Sequence, residues 1–258
     1  MLRFWETKRL PKIGGKSNPR FASFPQPYAS KVLEVQPSNL IAYWRLNETL
    51  GTVSSNDKGD SSFNGTYSRD VSLMGVQGGI GDGITCPVFS PASDRISIGT
   101  ASLGSAFSGQ EFTISIWAKV ASSGIWTDGV RRECLRIFDN AFDDYIWLSK
   151  DSTNNQWWIR YSAAGTIKDI RPASGGVLDW VHLAVTVSKV ADAVKFFVNG
   201  SQAGATKTGL GTFLASVDFG YIGSADSLQN NAWDGQIGHL AIFDAPLTPA
   251  QIANLATV

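Results

Sequence analysis

From Leu40 to its end the chain is cut into short apolar runs by turn dipeptides: Asn64-Gly65, Gly78-Gly79, Asp82-Gly83, Asp128-Gly129, Gly175-Gly176, Asn199-Gly200 and Asp234-Gly235. Each pair supplies residues that enter the left-handed backbone region at little cost, as tight connections between antiparallel strands require. Runs this short, without a 3.6-residue repeat, predict sheets rather than helices. The strands expected are 42–46, 95–98, 112–120, 134–139, 145–149, 156–161, 181–188, 193–198, 216–222 and 235–243. A single exception closes the chain. Thr248-Pro249-Ala250-Gln251 places a hydroxyl cap, a proline at the first helical position and Gln at the third, which opens a short C-terminal helix.

A length of 258 residues with 43% hydrophobic side chains suits one large all-β domain. Alternation sorts the side chains of its strands. In 112–119, Phe112, Ile114, Ile116 and Ala118 share one phase, whereas Trp117 shares the other with Thr113, Ser115 and Lys119; Trp180 likewise falls in phase with His182 and Thr186. Trp157 and Trp158 are adjacent, so at most one of them faces a core.

Residues 1–37 read differently. They hold Pro11, Pro19, Pro25, Pro27 and Pro37 and lack periodicity, which predicts an extended arm ahead of a domain at 38–258. Up to residue 31 the arm carries Arg3, Lys8, Arg9, Lys12, Lys16, Arg20 and Lys31 against Glu6, a net +6, leaving −6 on the remainder. Phe4, Trp5, Phe21, Phe24 and Tyr28 accompany these cations. Solvated tails are poor in aromatics, so the arm is expected to order on a partner, with Arg3, Trp5, Lys8, Arg9, Lys12, Arg20 and Phe21 making the contact. An acidic protein surface suits it better than nucleic acid, because the acidic body would repel phosphates. No run has the length of a signal-peptide core or a membrane span, so a soluble protein made in the cytoplasm is expected. Cys86 and Cys134 have neither zinc-site spacing nor disulfide-scaffold density and are read as free thiols.

Several segments carry a family likeness: Ala42-Tyr43-Trp44-Arg45-Leu46-Asn47-Glu48, Phe112-Thr113-Ile114-Ser115-Ile116-Trp117, Asp179-Trp180-Val181-His182-Leu183-Ala184, Phe197-Val198-Asn199-Gly200, and Trp233-Asp234-Gly235-Gln236-Ile237 running into Ala241-Ile242-Phe243. Over residues 38–256 the chain resembles the laminin G-like branch of the concanavalin A-like jelly rolls. The resemblance implies an all-β fold, a two-sheet antiparallel jelly-roll sandwich closed by the short helix. It also implies a possible calcium ion at a sheet rim, for which Asp57 and Asp60 in the loop after the Tyr-Trp strand are the candidate ligands. His239 follows Gly238 where the family commonly places an acid, and an imidazole is a poor ligand for so hard a cation.

Catalytic chemistry finds little support. Glucanases of this fold need two paired carboxylates, and the densest acidic stretch, 139–145, contains no Glu. His182 and His239 lie in expected strands without a nucleophile elbow, and no glycine-rich phosphate loop occurs. Aromatic residues remain, since a sugar stacks its CH face on Trp or Tyr while Asn, Asp and Arg satisfy its hydroxyls. The loop residues Trp126, Asp143, Asp144, Tyr145 and Trp233 are therefore the candidate ligand site. The reading is a non-enzymatic adhesion or display protein, resembling a tailed-phage virion decoration or tail component, docked as one of several copies in a larger assembly through its arm. A free cytoplasmic lectin-like module is the alternative, and a glycoside hydrolase of the same fold the second.

Overall fold

The computed structural model describes residues 27–68, 73–91, 94–214, 216–228 and 230–258. Along the chain come β1 (Leu40–Trp44), β2 (Val53–Ser54), β3 (Gly65–Tyr67), β4 (Leu73–Val76), β5 (Cys86–Phe89) and β6 (Ile96–Ser97). There follow β7 (Glu111–Val120), β8 (Arg132–Phe138), β9 (Tyr145–Lys150), β10 (Trp157–Ala163), β11 (Thr166–Ile170) and β12 (Val181–Ser188). The last are β13 (Ala193–Val198), β14 (Ser201–Gln202), β15 (Phe219–Ile222) and β16 (Gly235–Phe243). Helices α1 (Tyr28–Val35), α2 (Ala101–Ala106) and α3 (Pro249–Leu255) complete the set. Among the described residues no helix is long and apolar enough to cross a membrane.

The strands form two antiparallel sheets facing each other. The first runs β14-β13-β12-β7-β16-β5-β4 with β1 beside β16, and the second β11-β10-β9-β8-β15-β6-β3-β2. The jelly-roll sandwich expected from the sequence is thus the fold. One phase of each strand fills the space between the sheets: Phe112, Ile114 and Ile116 from β7 and Leu183 and Val185 from β12 meet Ile146, Leu148, Ile159 and Tyr161 from the second sheet. The Asn199-Gly200 turn has φ of 48° and 79°, the primed geometry that joins β13 to β14 in a two-residue hairpin. Gly235 is required for another reason. A Cβ there would lie 2.0 Å from the Lys119 carbonyl oxygen of the neighbouring strand.

The other phase of the first sheet is also buried. Trp117, Ala184, Phe197 and Phe243 are covered by Tyr28 and Val32 of α1 and by Ile252 and Leu255 of α3. Thr248 caps α3 in the expected capping box with Gln251. The Tyr28 hydroxyl donates to the Leu255 carbonyl, and the Gln251 amide donates to that of Val35, so the two helices are cross-linked.

This corrects the expectation of an extended arm through residue 37. Residues 28–35 are helical because Tyr28 and Val32, four apart, reach one apolar surface, and each such burial contributes about 1.5–3 kcal/mol. The anchoring residues proposed from sequence, Arg3, Trp5, Lys8, Arg9, Lys12, Arg20 and Phe21, lie outside the described residues. Both cysteines are free and buried.

Candidate functional site

The structure divides the five ligand residues expected from sequence. Trp126, in a 3-10 turn at Ser123–Thr127, is buried beside Trp157 at 5.0 Å edge to face, and Trp233 stacks on Trp157 at 6.1 Å and 14°. Their indole N–H groups donate to the carbonyls of Val177 and Lys119. Both are core residues, not ligand residues, because the chain folds over them: a Cβ at Gly175 would already lie 2.5 Å from the Trp126 ring. Asp144 is buried too. Its two carboxylate oxygens accept from the backbone N–H groups of Ala164 and Leu214, each at 2.6 Å, which ties two loops together. Asp143 is exposed and Tyr145 is buried against the second sheet.

The five do not form one rim. Trp157 pairs with Lys150 at the end of β9, whereas Tyr145 begins that strand, so the tryptophan cluster and the Asp143–Tyr145 turn lie at opposite ends, roughly 17 Å apart along the strand.

The calcium loop is committed otherwise. The Arg45 guanidinium donates to Asp57 Oδ1 at 2.5 Å and the Arg45 N–H donates to Oδ2. Asp60 caps the 3-10 turn Ser61–Phe63 by accepting from the Ser62 N–H, which holds its carboxyl below the usual value. Both oxygens of Asp57 are thus taken up by Arg45 and one oxygen of Asp60 by the turn it caps, a pair that does not fit a calcium ion, which needs several free oxygen ligands. Among the described residues no group of three His, Cys, Asp or Glu converges elsewhere.

What the fold does assemble is the outward face of the second sheet. Strand alternation points Trp157, Ile159 and Tyr161 inward, and with them the opposite phase, Trp158 and Arg160, outward. Register then aligns one row across five strand pairings: Ser97, Tyr221, Arg136, Trp147, Arg160, Asp169. Aromatic and cationic side chains alternate along its middle. Arg136 lies 5.1 Å and Arg160 5.0 Å from the Trp147 ring centre. Arg131 comes to 4.8 Å over the same ring, and Arg171 to 3.8 Å over Trp158. Tyr145 stacks parallel on Trp147 at 5.0 Å and 7°.

Acids balance most of these cations. Asp169 takes Arg160 in a two-point grip, 2.7 Å at each contact, and the bond raises the arginine's pKa. Burial opposes ionisation at Asp169, yet Arg160 and the Trp158 N–H outweigh it and keep its pKa low. Arg171 reaches Asp151 at 3.3 Å. Arg131 approaches Glu133 to 3.0 Å without the alignment of a hydrogen bond; burial pushes the Glu133 carboxyl up to about 7, against the pull of Arg136 and Arg131.

Hydrogen-bonding capacity on this face is left over. Arg131 Nε, both Glu133 oxygens, Arg136 Nε, Trp147 Nε1 and Asp151 Oδ2 are buried without a hydrogen-bond partner. Buried polar atoms are rarely left this way, since each costs about 1–3 kcal/mol. Trp147, Trp158 and Tyr145 are themselves buried beneath these arginines, so what the face turns outward is planar guanidinium surface with fixed donors, against which a sugar can pack and hydrogen-bond. Of the residues on this face the sequence reading names Tyr145 alone, and not Trp147, Trp158, Arg136 or Arg160. The signal available is the same-phase pairs Tyr145/Trp147 and Trp158/Arg160; their alignment needs the register.

Comparison with known proteins places the fold. A family model described as the concanavalin A-like lectin/glucanases superfamily matches residues 91–253. No curated protein matches in sequence. Among solved structures, the binding domain of botulinum neurotoxin serotype D is similar at TM-score 0.62 and 14% identity, over 84% of this chain and 51% of that one. Domain 4 of AbnA, an extracellular arabinanase from Geobacillus stearothermophilus solved with arabinotriose, is similar at TM-score 0.59 and 20% identity, over 85% of this chain and 98% of that one. A sialidase of Trypanosoma rangeli solved with sialic acid is similar at TM-score 0.62 and 15% identity, over 85% of this chain and 33% of that one. The chain spans about half of the toxin domain and a third of the sialidase.

Proposed function

We propose that this chain, which belongs to the concanavalin A-like lectin/glucanases superfamily, is a non-enzymatic saccharide-binding module whose ligand lies on the outward face of the second sheet. One observation carries the reading: among the described residues no helix packs on the outer side of the second sheet, where the part-exposed guanidinium groups of Arg136 and Arg160 flank the buried ring of Trp147 in one cross-strand row. The partly exposed guanidinium groups of Arg136 and Arg160 and the exposed one of Arg171 support it, because their planar donor edges can meet the hydroxyls of a saccharide directly or through ordered water. The arabinotriose and sialic acid named with two similar structures agree with a saccharide ligand. The test is a glycan array probed with the full chain, repeated with Trp158→Ala and Arg160→Gln. Binding lost in both variants, with unchanged circular dichroism, is the expected result; binding that both retain removes the face from the site.

A second reading concerns where the module works, and the charge split carries it: +6 over residues 1–31 and −6 over the rest. Such an arm favours docking on an acidic protein assembly, as in a virion decoration or tail component, with the sheet face displayed outward. Sedimentation of native particles at low and high salt tests it. Co-sedimentation at low salt that is lost on removing residues 1–26 is expected, and a chain found only as free protein refutes the reading.

A further inference from the structure

Four arginines share the open face, and three have carboxylates: Arg131 faces Glu133, Arg160 is gripped by Asp169, and Arg171 lies near Asp151 and Asp169. Arg136 differs. Among the described residues it makes no hydrogen bond or ion pair, and its contacts are ring faces: Phe138 at 5.0 Å, Trp147 at 5.1 Å, Phe142 at 5.3 Å and Tyr145 at 5.8 Å. Its Nε is buried and unpartnered. Rings around a guanidinium fix its plane but leave the donors on its edge unused, and burial makes an unpaired cation costly. Burial lowers its pKa, with Glu133 the main opposing charge. An arginine held rigid with idle donors is a preorganised receptor for a two-oxygen anion.

A second feature adjoins it. Phe142 is 50% exposed, stacks on Phe138 at 4.8 Å and 17°, and holds φ at 59°, a region that aromatic residues rarely enter. The Phe142 N–H donates to the Asp139 carbonyl, and the Asp139 side chain accepts from the N–H groups of Asp143 and Asp144, which pins the turn in place. An exposed ring held in a costly conformation beside an unpaired guanidinium makes one composite surface, apolar on one side and cationic on the other.

Resting on the reading that this face is the ligand face, we infer that Arg136 selects the ligand by pairing with an anionic group of an acidic saccharide, a carboxylate or a sulfate, while the sugar ring lies against Phe142. The asymmetry among the arginines assigns the roles. Arg160 and Arg171 have their charges spent on Asp169 and Asp151 and offer neutral hydrogen-bonding edges, whereas Arg136 brings a net charge.

The test is an array bearing each glycan backbone in neutral, carboxylated and sulfated forms, probed with the full chain and with Arg136→Gln, Arg136→Lys and Phe142→Ala. Expected is signal confined to the acidic forms, reduced about tenfold or more in Arg136→Gln and Phe142→Ala and partly retained in Arg136→Lys. The carboxylated and sulfated arms show which anion is preferred, and either agrees with the inference. Neutral and acidic forms bound equally, or binding unchanged in Arg136→Gln, overturns the role of Arg136 while the saccharide reading stands. No signal for any glycan overturns both.

Discussion

Tyr43 Oη lies 2.6 Å from His239 Nδ1, and the other nitrogen of that ring lies 3.0 Å from Asp82 Oδ2. With Nε2–H given to the carboxylate, Nδ1 is left to accept the phenol proton, so one buried imidazole joins β1, β16 and the glycine-rich loop at 77–85. Burial disfavours the Asp82 carboxylate, but His239 outweighs it and keeps the carboxyl below its ordinary value. The bulge between Gly238 and Ala241 makes the arrangement possible by holding His239 at φ 54°. His239→Ala strands both partners and is expected to cost about 2–4 kcal/mol. Chemical denaturation measures the loss, and amide exchange should rise first at 77–85.

Glu133 sets a pH dependence of stability. Its pKa is 4.5 in the unfolded chain and pushed up to about 7 in the fold, chiefly by burial. Between these values the folded state holds the proton more tightly, so this group's contribution falls as pH rises from about 4.5 to about 7 and is flat beyond. The full difference is on the order of 3 kcal/mol. His182, pushed down to about 3 by burial, has the opposite slope, with stability rising from about pH 3 to 6.5. Urea unfolding of the native chain and Glu133→Gln across pH 4.5 to 8.5 isolates the first effect, since His182 cancels in the difference. Glu133→Gln is expected to gain relative stability as pH rises; a pH-independent difference refutes the assignment.

Helix α1 belongs to the domain. Removing residues 1–26 is expected to leave the melting temperature within a few degrees of the native value, whereas removal through residue 35 uncovers Trp117 and Phe243 and lowers stability by about 3 kcal/mol or more. Thermal melts of the two truncations decide it.

The tryptophan cluster around Trp157 is structural. Trp126→Ala and Trp233→Ala are each expected to cost about 3–5 kcal/mol by opening a cavity, with little effect on ligand affinity in the fraction that stays folded. Denaturation midpoints and affinity at low temperature separate the two effects.

Strands β12, β13 and β16 are legible to the residue, because alternation and flanking turns agree at Val181–Ser188, Ala193–Val198 and Gly235–Phe243. The short β2, β3 and β14 escape notice since two or three residues display no period. Helix α1 is hidden by the prolines before it and draws its stability from tertiary burial of Tyr28, which no local pattern reports. The arginine-aromatic face is obscured for a related reason. Trp126 and Trp233 look like loop aromatics by position, while their burial depends on chain segments distant in sequence, Val177 and Lys119 among them. Trp147 and Trp158 hide inside apolar strands and join the arginines in one cluster only when β8 to β11 align.

Helices α1 and α3, joined where the Tyr28 hydroxyl meets the Leu255 carbonyl, sit on the outer side of the first sheet, and the arginine-aromatic row occupies the outer side of the second. The first and last helices therefore occupy the back of the sandwich, opposite the arginine-aromatic row, and anything that grips the molecule by these two helices leaves that row facing away from it.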